Sequence, residues 1–161
     1  MIRLGKLTDY GLLVMCRIAR SPLTEWHTAR ELAAECHLPL PTVGKLLKAL
    51  IKNGLLASQR GIKGGYALAR KPELISITEI ISALEGPFAL TECCSTDVSG
   101  LCELEPSCPI RDNQRIISQV VHGALARVML SDLSRPMQLT AIRDGRGKLV
   151  PIAGALAGRM Q

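Results

Sequence analysis

The chain contains very few aromatic side chains and no long apolar run. Tryptophan, tyrosine and phenylalanine make up 2% of its 161 residues, which argues against a stacking surface for single-stranded nucleic acid. No stretch approaches the roughly 18 apolar residues of a membrane span. The first six residues also lack the apolar run of a signal peptide. We therefore expect a cytoplasmic protein without a membrane partner.

The sequence also lacks the residue groupings that support catalysis. Its three histidines, His27, His37 and His122, are scattered along the chain. No serine, histidine and aspartate set, phosphate-cradling loop or carboxylate pair is evident. Each histidine is better explained as a surface or core residue than as a catalyst. We therefore expect a protein that is not an enzyme and has no small-molecule substrate.

Cysteine, in contrast, is concentrated in one segment. Four of the six cysteines lie within sixteen residues, at Cys93, Cys94, Cys102 and Cys108. Disulfides are rare in a reducing compartment, and a chain with 47% hydrophobic residues needs no covalent staples. The four thiols therefore predict a bound metal such as zinc, or an iron–sulfur cluster. A redox-sensing pair of thiols is the alternative, while Cys16 and Cys36 lie on apolar helix faces and are expected in the core.

Charge divides the chain into three parts. Residues 1–72 contain twelve lysines and arginines against four acidic residues, and residues 73–112 contain one against eight. Residues 113–161 contain seven against two. The basic first part suits contact with DNA phosphates, whereas the acidic middle part contains the four clustered cysteines and would be repelled by DNA. We expect the two parts to have different functions.

The basic part predicts a helix-turn-helix followed by a glycine-rich hairpin. We expect three helices, with Thr8 and Thr28 capping the first two and Pro41 in the first position of the third. The third helix repeats apolar residues on one face and carries lysines on the other. Two short strands flank the loop 60–65, whose glycines allow a tight turn near a DNA backbone. The expected fold is mainly α with a small β-hairpin, a winged helix-turn-helix, although the helices alone would also fit an ordinary hairpin with a solvated lysine face.

The remaining sequence predicts a fourth helix, an irregular cysteine segment, a long helix and a tail. Apolar residues of the long helix recur at helical spacing, and little of the chain remains to cover them, so a second copy of the helix is a natural partner. Packing against the chain's own winged helix is the alternative. The tail is expected to be flexible and basic, with a short strand at residues 149–152. The resulting division is a DNA-binding domain at 1–86, a cluster-binding loop at 87–109, a dimerisation helix at 110–133 and the tail at 134–161.

Taken together, these motifs resemble a known family. The resemblance rests on Leu7-Thr8-Asp9-Tyr10, the helix end at residues 50–55, the stretch from Arg60-Gly61 to Gly64-Gly65-Tyr66, and spaced cysteines before a long helix. These are similar to the bacterial winged-helix iron–sulfur regulators typified by IscR, NsrR and RirA, over residues 1 to about 133. The segment from Leu84-Glu85-Gly86-Pro87 to Thr91-Glu92-Cys93 is most similar to the branch that regulates SUF iron–sulfur assembly genes.

The resemblance implies a homodimer that holds an iron–sulfur cluster of two or four irons. By position, the ligands would be Cys94, Cys102 and Cys108, and Cys93 would be a spare thiol or a ligand to a different iron. Asp9 matches an aspartate that the other subunit supplies in the nitric-oxide-sensing branch. Its alternative role is to interact favourably with the helix dipole. Arg111 stands where IscR-like members have a histidine, so an IscR-like ligand set is not expected.

The resemblance also implies a double-stranded DNA operator as the partner. Thr42, Lys45 and Lys48 would face the major groove, and Arg60 and Lys63 would contact the backbone or the minor groove. The other expected DNA-binding residues are Thr28, Pro41, Gly64 and Gly65. Gly44 replaces a glutamate of IscR-like proteins, which removes an acceptor for cytosine. The expected function is a repressor that senses iron–sulfur cluster, iron or redox status through the loop-bound cluster and controls SUF-type assembly genes. The alternatives are a nitric-oxide or thiol-redox sensor without a stable cluster, a zinc protein or a cluster carrier.

Overall fold

The protein is described by a computed structural model that covers residues 4–61, 64–91, 102, 107–134, 142–143 and 149–150. This part of the chain is mainly helical with small antiparallel hairpins, which confirms the predicted fold class. The elements are α1 (Lys6–Ala19), α2 (Ala29–Glu35), α3 (Leu40–Lys52), β1 (Leu56–Gln59), β2 (Gly65–Leu68), a 3-10 turn (Pro72–Leu74), α4 (Ile77–Glu85), α5 (Arg111–Ala126), α6 (Leu130–Ser134), β3 (Ile142–Arg143) and β4 (Leu149–Val150).

The core lies where α1, α3 and α4 pack together. The inner face of α3 is formed by four side chains that are at most 1% exposed: Val43, Leu46, Leu47 and Leu50. Met15 of α1 and Ile80 of α4 are fully buried in the same cluster. Each such side chain contributes about 1.5–3 kcal/mol when it leaves water. The buried face therefore fixes α3 in the domain and leaves its opposite face available to a partner.

The hairpin β1–β2 is attached to the loop before α2. Leu56 pairs with Leu68 and Gln59 pairs with Gly65 in an antiparallel register. The backbone of His27 also exchanges two hydrogen bonds with Tyr66, of 2.9 and 2.8 Å. A Cβ at Gly65 would lie 2.6 Å from the carbonyl oxygen of His27, so this attachment requires a glycine. The hairpin β1–β2 is the wing of the winged helix-turn-helix. Long-range backbone contacts thereby hold it against the helices.

Two of the three predicted helix starts need correction. The N-cap of α1 is Gly5, and Thr8 lies inside the first turn, where its hydroxyl is fully buried and donates a hydrogen bond to the Glu85 carboxylate. The prediction that Thr8 caps the helix was wrong because the helix begins at Lys6. A carboxylate from α4 instead binds the start of the helix: the backbone N–H of Gly5 donates to Glu85 Oε1 at 2.8 Å. Pro41 occupies the second position of α3, since the helix begins one residue earlier.

Helices α2 and α4 each begin with a capping box, which confirms that Thr28 caps α2. In α2, the Glu31 backbone donates to the Thr28 hydroxyl at 3.2 Å, and the Thr28 backbone donates to the Glu31 carboxylate at 2.8 Å. Ser76 and Glu79 make the equivalent pair at α4, with distances of 3.3 and 2.8 Å. Each box satisfies two N–H groups that the helix itself leaves without partners.

The long helix expected over residues 110–133 is two helices. α5 ends at Ala126, and the next residues pair with the segment before α4: Ile77 N–H donates to Val128 O at 2.9 Å and Leu130 N–H donates to Ile75 O at 2.8 Å. Helix α6 then packs on α1, and Leu130 is fully buried. Val128 and Met129, whose helical spacing predicts that they continue the apolar stripe of one long helix, therefore belong to the connection between α5 and α6.

Part of the tail forms a second hairpin. Ile142 pairs with Val150 and Arg143 pairs with Leu149, so the short strand expected at residues 149–152 is present at its first two positions. The expectation of a flexible basic tail otherwise falls on residues outside the described ranges. Among the helices described, none combines the length and the apolar character needed to cross a membrane.

Candidate DNA-binding surface and cysteine segment

Helix α3 presents a cationic side to solvent. Lys45, Lys48 and Lys52 are exposed, on the side opposite the buried leucines. Pro41 is also exposed, whereas Thr42 is half-buried and lies toward the edge of that side. The lysines are thus placed to neutralise phosphates without disturbing the core. Thr42, in contrast, has only part of its surface available to a partner.

The start of α2 and the wing together form a groove of about 420 Å3. It brings together four of the predicted DNA-binding residues, which are Thr28, Arg60, Gly64 and Gly65. Arg60 is exposed, and the described residues that line the groove include no acidic side chain. A Cβ at Gly64 would lie 2.2 Å from the carbonyl oxygen of Gln59, which explains a glycine at the tip. Lys63 lies outside the described residues.

The acidic side chains near this surface are held by local partners. Hydrogen bonds from the Thr28 backbone, and then from its hydroxyl, lower the pKa of Glu31. The Glu35 carboxylate lies 2.8 Å from the Arg17 guanidinium in α1. The negative charges of α2 therefore serve its cap and an ion pair with a neighbouring helix.

The two isolated cysteines behave as core residues, as expected. Cys36 is 8% exposed, and burial, with help from Glu35, raises the pKa of its thiol while Arg17 opposes the effect. Burial also raises the pKa of the half-buried Cys16, partly offset by Arg20. A raised pKa keeps a thiol protonated and unreactive at neutral pH. Neither residue is suited to be a ligand or a nucleophile.

The clustered cysteines are described only in part. Cys102 and Cys108 are free thiols and half-buried. Cys108 lies three residues before the first residue of α5, and its carbonyl accepts a hydrogen bond from Arg111 N–H at 3.4 Å. Cys93 and Cys94 lie outside the described residues. Asp9 is exposed in the first turn of α1. No three histidine, cysteine, aspartate or glutamate side chains meet as a metal site within the described ranges, so the ligand set stays a prediction.

The donors that are described suit an iron–sulfur cluster chemically. Thiolate sulfur is the usual protein ligand of iron in such clusters, and neither Cys102 nor Cys108 is joined in a disulfide. Their half-buried position would shield one side of a bound cluster from solvent. Asp9, one of the two candidates for the fourth donor beside Cys93, is expected from the other subunit of a dimer. A single chain therefore does not have to bring it to the cysteines.

A contact that the sequence did not reveal joins the start of α1 to the end of α4. Glu85 accepts hydrogen bonds from both Gly5 and Thr8, and a Cβ at Gly11 would lie 2.2 Å from Leu84 Cδ1. The two helices therefore meet closely at this seam. It lies beside Asp9 and directly before the cysteine segment. The partners are 77 and 80 residues apart, which places the contact beyond any local sequence pattern.

The outer face of α5 is apolar and exposed. Ile116 and Val120 are 58% and 66% exposed, and with Gly123 and Arg127 they line a shallow groove of about 450 Å3. The opposite face packs on α4 and includes the buried Ser118. Ile116 and Val120 thus face away from the chain's own winged helix, whereas Leu125 and Val128 pack against its core.

A helix-turn-helix with a basic third helix and a wing is the architecture of a winged-helix DNA-binding protein. The sequence model of one such family, Rrf2, described as "Iron-dependent Transcriptional regulator", matches residues 4–136. The chain belongs to the Rrf2 family of DNA-binding transcriptional regulators. The predicted resemblance to this family and the expectation of a regulator rather than an enzyme are confirmed.

Individual relatives agree with this assignment. The chain is 29% identical over 125 residues to the HTH-type transcriptional regulator NsrR of Shouchella clausii, covering 78% of each chain. It is 26% identical over 143 residues to IscR of Cronobacter sakazakii, covering 89% of this chain and 86% of the relative. Among solved structures, CymR, described as the global cysteine regulator of B. subtilis, superposes with a TM-score of 0.65 at 28% identity, covering 83% and 97%.

Proposed function

We propose that this protein is a homodimeric transcription repressor whose affinity for its operator is set by an iron–sulfur cluster in the cysteine segment. The observation that carries the proposal is the concentration of Cys93, Cys94, Cys102 and Cys108 between the winged helix and α5. The free, half-buried thiols of Cys102 and Cys108 support it. When bound, the cluster would supply a site that responds to iron, oxygen or nitric oxide.

The ligands proposed are Cys94, Cys102 and Cys108, with Cys93 or Asp9 as the fourth. Three cysteines spaced along one loop can converge on one cluster, whereas adjacent thiols rarely serve the same iron without backbone strain. Asp9 would come from the partner subunit. Its exposed position in the first turn of α1 leaves its carboxylate accessible to a second chain.

The dimer is proposed to form through α5. Ile116 and Val120 expose apolar surface that a second copy of the same helix would cover, and a symmetric interface of this kind is common in oligomers. A dimer would carry two copies of α3 and two wings. Its operator would then be a near-palindrome with half-sites about one DNA turn, roughly 34 Å, apart.

The position of the cysteine segment supports a link between its state and DNA binding. The segment connects the end of α4 to the start of α5, and α4 packs on both α1 and α3. A change in the segment would shift α5 relative to α4, and so alter the separation of the two α3 helices in a dimer. Such coupling is typically worth about 1–3 kcal/mol.

We further propose iron–sulfur assembly genes of the SUF type as targets. The support is the similarity of Leu84-Glu85-Gly86-Pro87 and Thr91-Glu92-Cys93 to regulators of those genes. In the fold, Leu84 and Glu85 form the seam with α1, so this motif has a structural role immediately before the predicted ligands.

The test is to replace Cys102 or Cys108 by alanine and purify the proteins without oxygen. We expect each variant to lose the visible absorption and the bound iron and sulfide, and to change its affinity for an operator selected in vitro. Cys16→Ala is the control, because Cys16 packs in α1 and should leave both properties intact. A Cys102 or Cys108 variant that keeps the spectrum and the DNA response would overturn the proposal.

The second candidate is a regulator that senses thiol oxidation without a cluster. The similarity to CymR of Staphylococcus aureus, which was solved in an oxidized form, favours it. In that case the protein purified without oxygen would be colourless, and mild oxidation would change both its thiol count and its DNA affinity. Metal analysis of the same sample separates this candidate from a zinc protein.

A further inference from the structure

Helix α3 has an uncharged N-terminal end, called its front below, and is cationic along the rest of its length. Its lysines stand at positions 45, 48 and 52, whereas residues 39–42 contain none. Pro39, Leu40 and Pro41 are all exposed at the front, and Leu40 exposes 44% of its surface. Thr42 is half-buried. The leading end of the recognition helix therefore presents mainly apolar surface to a partner.

The surface behind Leu40 is recessed. Leu40, Gly44 and Lys48 follow one another at four-residue intervals, so they lie on the same side of α3. Gly44 has no side chain, and a Cβ there would meet nothing within 4 Å among the described residues. The helix backbone can therefore approach a flat or grooved surface closely at this point. On this side of α3, Leu40 is then the apolar side chain that projects toward the bound surface.

In a helix-turn-helix, the residues at the start of the recognition helix contact base edges in the major groove. Charged side chains further along contact phosphates, which position the protein without reading sequence. The exposed side chains of Pro39, Leu40 and Pro41 have no hydrogen-bonding group, so they cannot read donors and acceptors. The major-groove feature that apolar contact recognises is the C5-methyl group of thymine.

We propose that Leu40 is a specificity-determining residue that packs on a thymine methyl group in each half of the operator. Gly44 permits this contact by letting α3 lie close to the base edges, and Lys45 and Lys48 hold the helix in place through phosphates. The proposal rests on the helix-turn-helix and on the proposed dimer, and it does not depend on the cysteine segment. It can therefore fail or succeed independently of the proposed cluster.

The experiment removes the methyl group from the DNA and the leucine from the protein. A duplex is first enriched from a random library by the wild-type protein, and each thymine is then replaced in turn by deoxyuridine. We expect one thymine per half-site at which wild-type affinity falls about fourfold, the effect of losing one buried methyl group. Leu40→Ala should bind more weakly, and the same replacement should no longer change its affinity.

Two further variants make the result specific. Leu40→Met keeps an apolar side chain and should retain sensitivity to deoxyuridine. Leu74→Ala removes a leucine that is 62% exposed outside α3 and should behave as wild type. The proposal is overturned if the wild-type protein is indifferent to deoxyuridine at every position, or if Leu40→Ala keeps the full sensitivity. Circular dichroism confirms that each variant is folded.

Discussion

Helices α3 and α5 share a sequence pattern and occupy opposite environments. Both repeat apolar residues every three or four positions, yet Leu46 and Leu50 of α3 are fully buried while Ile116 and Val120 of α5 are 58% and 66% exposed. The pattern predicts that a helix has an apolar face, but it does not say which surface will cover it. For α3 the cover is in the same domain, and for α5 the described residues do not provide one.

The largest expected effect comes from the buried helix. Leu50→Ala removes a fully buried side chain between α3 and its neighbours, so we expect the free energy of unfolding to fall by about 2–5 kcal/mol. Urea denaturation at two protein concentrations measures the change. Because the lost contacts lie within one chain, the loss should be the same at both concentrations. A loss below about 1 kcal/mol would show that the α3 face is not the core of this domain.

The exposed helix should respond through assembly rather than through folding. Val120→Asp places a charge on the proposed dimer face. We expect the dissociation constant of the dimer to rise by on the order of 100-fold, which corresponds to about 2.7 kcal/mol of association free energy. Helical content should be unchanged. Sedimentation velocity over a concentration series gives the measurement.

The matched control for this prediction is Leu74→Asp. Leu74 is 62% exposed, close to the 66% of Val120, but it lies in the 3-10 turn rather than on α5. It should leave the assembly state unchanged. If both variants dissociate equally, or if neither does, α5 is not the specific interface that we propose.

The local parts of the fold were predictable because their causes are local. The capping boxes at Thr28 and Ser76, the apolar face of α3 and the glycines of the wing all act over a few residues. The break after α5 was missed because no proline or glycine marks it. Val128 leaves the helix to accept a hydrogen bond from Ile77, and that partner lies about fifty residues earlier in the chain.

The same distinction applies to the candidate site. The sequence identified the cationic residues and the thiols by their chemistry, and the fold then grouped Thr28 with Arg60 and the wing glycines around one groove. The sequence did not reveal that Glu85 binds the start of α1. Nothing in the residues around Gly5 and Thr8 indicates a hydrogen-bond partner so far along the chain. Contacts of that kind depend on the tertiary arrangement and not on spacing.

The smallest expected effect concerns how the helices begin. α4 starts with the Ser76 and Glu79 capping box, whereas Ile110 at the start of α5 makes no side-chain capping bond. Burial alone would raise the pKa of Glu79, but hydrogen bonds from the Ser76 backbone, from Arg70 and from the Ser76 hydroxyl outweigh it, so that the pKa lies below its ordinary value. The unfolded chain therefore takes up this proton more readily than the folded one.

The sign of the pH dependence follows from that difference. The contribution of Glu79 to stability is present above its ordinary pKa of about 4.3 and is lost as the pH falls through the lower pKa of the folded state. Because the Glu79 side chain is 41% exposed, solvent screening limits the effect, and we expect Glu79→Gln to cost about 0.5–1 kcal/mol at pH 7. For Glu79→Gln, the melting temperature measured from pH 7 down to pH 3 should fall less steeply than it does for the wild type. The control is Glu73→Gln, which changes an exposed acid in the neighbouring turn and should keep the wild-type slope. An unchanged slope in Glu79→Gln would mean that this cap does not contribute to the acid sensitivity of the winged helix.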